Sequence, residues 1–234
     1  MKKLIIASTS TIHGSGYLEY ILPTLENHFK GINNILFIPF ARPGGINYDN
    51  YTKKAQEAFA KIGVSVKGIH EFQSPKDAIL KAKGIFTGGG NTFELVYQLY
   101  KFELIEVLKE ALESGIPYLG TSAGSNICGV TMMNTNDMPI VYPPSFDTLG
   151  VIPFNINAHY LDPNINSTHM GETRETRIKE FHIFNETPVL GLREGSWLEV
   201  TDEQIVLKGP LTARLFKPNN EPVELKSNSE IKIK

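Results

Sequence analysis

With 234 residues, 41% of them hydrophobic, the chain can bury a substantial core and suits a single α/β domain spanning residues 1–234. Its 23 Lys and Arg against 25 Asp and Glu leave a formal charge of −2 without long charged blocks, so neither a nucleic-acid binder nor a membrane-surface protein is expected. The lone cysteine, Cys128, has no partner for an internal disulfide, and no segment reaches the roughly 20 apolar residues of a membrane span; a cytoplasmic protein is predicted.

The first element is a buried strand in "KLIIAS". Lys2 and Lys3 imitate a secretion signal, but the apolar run from Leu4 to Ala7 is too short for one. An amphipathic segment from Tyr17 to Lys30 leads to the strand "NILFIPF", a second from Tyr48 to Ile62 leads to "VSVKGI", and "SPKDAILKAK" leads to "GIFTGG". A long helical region from Thr92 to Ser114 then precedes "PYLGT". Short β-branched runs alternating with helical periods predict a mostly parallel sheet with helices on both faces. Ser74 before Pro75, and Asn91 with Glu94 three residues on, are helix starts, and Gly115 with Pro117 ends the long helical region. Beyond Gly129 the pattern turns to loops and short strands, with one helix in "GETRETRIKEFHIF" and antiparallel β-hairpins at the end, one turning at Asn219-Asn220.

Open parallel sheets place their sites at the carboxyl ends of strands, and two glycine-rich turns fall there, "TGGGN" and "GTSAG". Gly120-Thr121-Ser122-Ala123-Gly124 fits the sharp strand-to-helix turn that exposes a serine hydroxyl, although a plain glycine turn has the same pattern. A serine needs a base and a group to orient that base. Among six histidines, His159 is the better base candidate, because it closes the alternating run "FNINAH" and enters a polar loop. Two acids compete for the third place: Asp137 in "NTNDMPIV", otherwise a turn cap, and Glu194 in "VLGLREGSW", otherwise a hairpin acid. The N–H groups of the Gly88-Gly89-Gly90 loop, followed by Asn91, and that of Ala123 suit a developing oxyanion; no phosphate-loop pattern is present. Arg174 and Arg177 lie three residues apart on one helix face, either as a salt-bridged surface with Glu172 and Glu175 or as a clamp for a carboxylate. A metal site from His159, Asp162, His169 and Glu172 matches no zinc spacing.

Taken in order, "FIPFA", "VKGIHEF", "GGGNTFEL", "GTSAGSN", "NTNDMPIV", "INAHYLDP", "HMGETRETRI" and "GLREGSWL" resemble peptidase E, the α-aspartyl dipeptidase family of serine peptidases, over nearly the whole chain. The resemblance implies a fold like the class I glutamine amidotransferases, with serine in place of their cysteine, and hydrolysis of Asp-Xaa dipeptides bearing a free N-terminal aspartate. It implies Ser122 as nucleophile, His159 as base, and Gly90 with Ala123 as oxyanion donors. Glu194 is the expected orienter and Asp137 a necessary nearby acid. Arg174 is the expected reader of the aspartate side chain, with Gly89, Asn91, His169 and Arg177 as further substrate-binding positions. No metal or organic cofactor is implied, and the enzyme is expected to act on small peptides as a monomer or homodimer. Thr121, Ala158 and Arg193 depart from residues common in the family beside these positions. A cyanophycinase-like activity on β-aspartyl-arginine is the nearest alternative.

Overall fold

The computed structural model describes the chain apart from residues 165, 167, 169 and 234. Its central sheet has seven strands in the order β3-β2-β4-β5-β1-β8-β9. The parallel part consists of β1 (Lys3–Ala7), β2 (Asn34–Ile38), β3 (Ser65–Gly68), β4 (Ile85–Thr87) and β5 (Tyr118–Thr121). Successive side chains on these strands point to opposite faces, and both faces are apolar. Leu4, Ile6, Leu36, Ile38 and Ile85 pack with Leu95, Leu99, Leu108 and Leu112, from α4 (Thr92–Lys101) and α5 (Ile105–Glu113). Ile5, Ala7, Ile35, Phe37 and Phe86 face the other way, onto Leu25 of α1 (Leu22–His28) and Ala55 and Phe59 of α2 (Tyr48–Ala60). Helix α3 (Pro75–Lys81) joins the first of these faces through Ala78 and Ile79.

The helix starts read from the sequence hold. Ser74 Oγ accepts from the Asp77 amide with Pro75 at the first helical position, and the Asn91 side chain accepts from the Glu94 amide. The long helical region does not run unbroken from Thr92 to Ser114. It stops after Lys101, where Glu103 takes a left-handed φ of 53°. Leu104 N–H returns to Leu99 O and Glu103 N–H to Tyr100 O, closing a Schellman turn with a non-glycine residue at its left-handed position. Phe102, stacked on Phe40 at 5.4 Å, and an ion pair between Glu103 and Lys76 hold the break. Tertiary contacts outweigh local helix propensity here.

The C-terminal hairpins go to different sheets. Strands β8 (Trp197–Thr201) and β9 (Gln204–Lys208) extend the central sheet, β8 running antiparallel to β1. Strands β10 (Ala213–Phe216) and β11 (Val223–Leu225) join a second sheet ordered β11-β10-β7-β6, in which β6 (Asn155–Ala158) and β7 (Val189–Leu192) are parallel neighbours. Helix α7 (Arg174–Phe184) connects β6 to β7. Among the described residues no helix is long and apolar enough to cross a membrane.

Candidate active site

Ser122 stands between β5 and the short helix α6 (Ala123–Asn126), with φ 54° and ψ −112°. A non-glycine residue in this region costs on the order of 1–3 kcal/mol and persists only where its surroundings enforce it. Here they do. Ser122 N–H donates to Ala7 O at 3.2 Å, while Ser122 O accepts from Asn126 N–H at 2.9 Å. The turn closes so tightly that a Cβ on Gly124 would lie 2.2 Å from Thr87 O, so only glycine fits. The geometry is that of a nucleophile elbow. Cys128, one helical turn further on, is buried against Gly124 O, and burial pushes its thiol up to about 12, which keeps it protonated and unreactive.

The second sheet brings the other two groups. Because β6 and β7 are parallel with Ala158 opposite Leu192, their carboxyl ends release His159 and Glu194 side by side. His159 Nδ1 lies 2.6 Å from Glu194 Oε1, and His159 Nε2 lies 2.9 Å from Ser122 Oγ. A proton on Nδ1, held by the carboxylate, leaves Nε2 to accept from the serine hydroxyl. Both the histidine and glutamate side chains are partly exposed, at 39% and 48%. The site therefore opens to solvent and is reachable by a substrate.

The glycine loop after β4 lies directly against the serine, since a Cβ on Gly89 would meet Ser122 Cβ at 2.9 Å. Tyr51 OH and Arg42 Nε both donate to Gly89 O, at 3.0 and 3.1 Å. In a planar trans peptide the Gly90 N–H points opposite to that carbonyl, so these two donors set its direction. Gly88 and Asn91 use their own N–H groups on Ile38 O and Ala41 O. Gly90 has φ +146°, and a Cβ there would meet Ala41 O at 2.2 Å. Ala123 N–H, at the first position of α6, has no intrahelical acceptor, and among the described residues neither it nor Gly90 N–H donates to another group, which leaves two donors beside Ser122.

Asp137 makes no hydrogen bond to His159 among the described residues. Its Oδ2 accepts from Thr92 N–H at 2.7 Å and from Thr135 Oγ1 at 3.1 Å, at the N-terminus of α4, where Asn91 Nδ2 also donates to Met138 O. Arg174 begins α7 and feels the Asp137 charge. It forms no ion pair among the described residues, whereas Arg177 Nε lies 3.6 Å from Glu172 Oε2. Desolvation and the neighbouring Arg177 lower the Arg174 pKa, and a cation at a helix N-terminus opposes the helix dipole. Arg174 lines a cavity together with Asp162, Asn164, Glu172, Thr173 and Arg177. His169 lies outside the described residues. Asp162, weighed above as a metal ligand, is instead held by Arg193, whose Nε and one terminal nitrogen donate to its two oxygens at 2.8 and 2.6 Å.

The model of Peptidase family S51 matches residues 4–208. The chain belongs to this family. It is 46% identical over 228 residues to a Peptidase E of Streptomyces coelicolor, covering 97% of this chain and 93% of that one. It is 43% identical over 227 residues to a probable alpha-aspartyl dipeptidase of Drosophila melanogaster, covering 96% and 93%. Among solved structures, a putative peptidase E protein from Listeria monocytogenes EGD-e superposes with TM-score 0.69 at 19% identity, over 90% of this chain and 99% of that one. A peptidase from an acI-B1 actinobacterium superposes with TM-score 0.75 at 14% identity, over 99% and 96%. At those identities the likeness is one of fold.

Three residues of this S51 peptidase were not singled out from its sequence. Ser8, at the carboxyl end of β1, accepts from His159 N–H at 2.9 Å and donates to Leu192 O at 2.7 Å, fastening the second sheet to the first beside the serine. Its one sequence signal is a polar residue closing an otherwise apolar strand. Tyr51 and Arg42 act on the glycine loop from a helix and a loop distant in sequence, and no local pattern marks them.

Proposed function

We propose that this S51 peptidase is a serine dipeptidase that hydrolyses Asp-Xaa dipeptides with a free N-terminal aspartate. The observation that carries the reading is the continuous hydrogen-bonded series from Glu194 through His159 to Ser122 on a strained elbow. The names of the Streptomyces and Drosophila relatives support the peptide substrate. In the proposed reaction Ser122 Oγ attacks the scissile carbonyl carbon while His159 Nε2 takes its proton, and Glu194 stabilises the imidazolium. Gly90 and Ala123 N–H groups hold the oxyanion. Collapse breaks the C–N bond, with His159 returning the proton to the leaving amine. Water, activated by the same histidine, then splits the aspartyl ester and frees Ser122.

Arg174 supplies the selectivity in this reading. It is a cation with no ion pair among the described residues, suited to bidentate contact with the aspartate carboxylate. A β-aspartyl-arginine substrate fits less well, because the cavity bordering Ser122 and His159 is lined by Arg42 and Lys54 and, among the described residues, by no carboxylate. We assign the enzyme to the cytoplasm, a reducing compartment that fits a chain whose single cysteine has no partner for an internal disulfide. The test is a panel of Asp-Leu, Glu-Leu, Asn-Leu, Ala-Leu and β-Asp-Arg with purified protein. Preferential hydrolysis of Asp-Leu is expected, and preference for any other member overturns the assignment.

A further inference from the structure

Ser122, His159 and Glu194 come from three different strand ends, and the carboxyl end of a fourth strand, β1, reaches the backbone around each of them. Ala7 O accepts from Ser122 N–H at 3.2 Å. Ser8 N–H donates to Ser196 O at 3.0 Å and Ser8 Oγ donates to Leu192 O at 2.7 Å, so the segment carrying Glu194 is held on both sides of it. The same Ser8 Oγ accepts from His159 N–H at 2.9 Å. His159, like Ser122, has a positive φ, here 53°, which a residue with a side chain keeps only where its surroundings enforce it. The next amide along, Tyr160 N–H, stays within the second sheet on Leu192 O at 3.1 Å, whereas His159 N–H crosses to β1. Ser8 is fully buried, and its hydroxyl is the single group that joins the strand end of the base to the strand beside the nucleophile.

Resting on the serine-hydrolase reading above, we propose that Ser8 is a positioning residue for the base: its hydroxyl locks the strained backbone of His159 and so keeps Nε2 within reach of Ser122 Oγ. Ser8 Oγ makes no hydrogen bond to the Ser122, His159 or Glu194 side chains among the described residues, and none of its partners lines the cavity that holds Arg174. Its contribution therefore falls on the alignment of serine and histidine and not on binding. Misplacing reacting groups by about 1 Å costs up to roughly hundredfold in rate.

The experiment measures kcat and KM for Asp-Leu in the wild type, Ser8→Ala and Thr148→Val, each well below its own Tm. Thr148 supplies the comparison because its hydroxyl is also buried and also serves a backbone carbonyl, Gly129 O at 2.6 Å, without touching the triad. Ser8→Ala is expected to lower kcat by about tenfold to hundredfold with KM within about twofold of wild type. Thr148→Val should lower Tm while leaving kcat within about twofold. Should Ser8→Ala not fold, Ser8→Cys, which fills the site but offers only a weak donor and acceptor, is expected to show the same loss in kcat at constant KM. An unchanged kcat at position 8 overturns the proposal. So does an equal loss of kcat in Thr148→Val, which would make the effect one of general stability, or a change confined to KM, which would place Ser8 in substrate binding. If the wild type leaves Asp-Leu intact but cleaves another peptide of the panel, the aspartyl dipeptidase reading falls and the same comparison on that peptide decides the role of Ser8. If it cleaves none of them, both fall.

Discussion

Ser122 Oγ sits 2.9 Å from His159 Nε2, and the backbone strain that exposes it is held by bonds the side chain does not make. Ser122→Ala is therefore expected to lower kcat by about 10⁶ while circular dichroism and Tm stay near wild type. Glu194→Gln replaces the carboxylate that fixes the histidine tautomer, and a loss of about 10⁴ in kcat is expected. A mild effect there would remove Glu194 from the mechanism. Arg174 makes a sharper claim, because an arginine left opposite a neutral side chain loses charge-assisted hydrogen bonds of about 1.5–3 kcal/mol each. A bidentate contact then favours Asp-Xaa over Asn-Xaa by roughly two to four orders of magnitude. Arg174→Met should collapse that preference mainly by losing activity on Asp-Xaa. Arg177, already paired with Glu172, should matter less, and an unchanged Asp to Asn ratio in Arg174→Met would shift the reading to another residue.

At the scale of elements, the site is a meeting of strand ends from two sheets. Strand β1 contributes Ser8, β4 the glycine loop, β5 the elbow, β6 His159 and β7 Glu194. Helix α4 is fixed into this frame by Asp137, which accepts Thr92 N–H, one of the donors that a helix N-terminus leaves unsatisfied. The carboxylate also lies where the helix dipole favours negative charge. Asp137→Ala should cost about 1 kcal/mol, which for a chain of this size is a fall of about 2–4 °C in Tm. Thermal unfolding of the variant checks this independently of any assay. An unchanged Tm would mean that water or Asn91 satisfies the helix end equally well.

For the molecule as a whole, one buried histidine ties stability to pH. His28 ends α1, where the helix dipole alone would favour a cation, yet it is buried and bonds to Tyr118 O at 3.1 Å. Burial, reinforced by the Lys3 ammonium, pushes its pKa down to about 3. The unfolded chain, with histidine near 6.5, therefore binds the proton more readily than the folded one. The stabilisation is complete above about pH 6.5 and is lost as pH falls toward 3, about 2 kcal/mol of it by pH 5. His28→Gln, which keeps a neutral donor, should show a smaller fall in its urea midpoint between pH 7.5 and 5 than the wild type. Equal falls would place the acid sensitivity elsewhere.

The same molecular scale separates what a linear chain encodes from what folding adds. The alternation of strands and helices, the starts at Ser74 and Asn91, the elbow and the glycine loop were legible because each depends on periodicity or on turn chemistry within a few residues. The break at Glu103 was not, since Phe40 and Lys76, which hold it, lie far away in sequence. Nor could composition choose between Asp137 and Glu194, which are both acids in polar loops after apolar runs. That choice of neighbour for His159 rests on the parallel pairing of β6 with β7, which sets Glu194 against the imidazole and leaves Asp137 on the end of α4. Arg42, Tyr51, Lys54 and Ser8 reach the site from elements far apart in sequence. Sequence by itself determined the parallel frame and placed a G-x-S-x-G turn at a strand end; tertiary structure decided the company the serine keeps, because non-local strand pairing places those side chains.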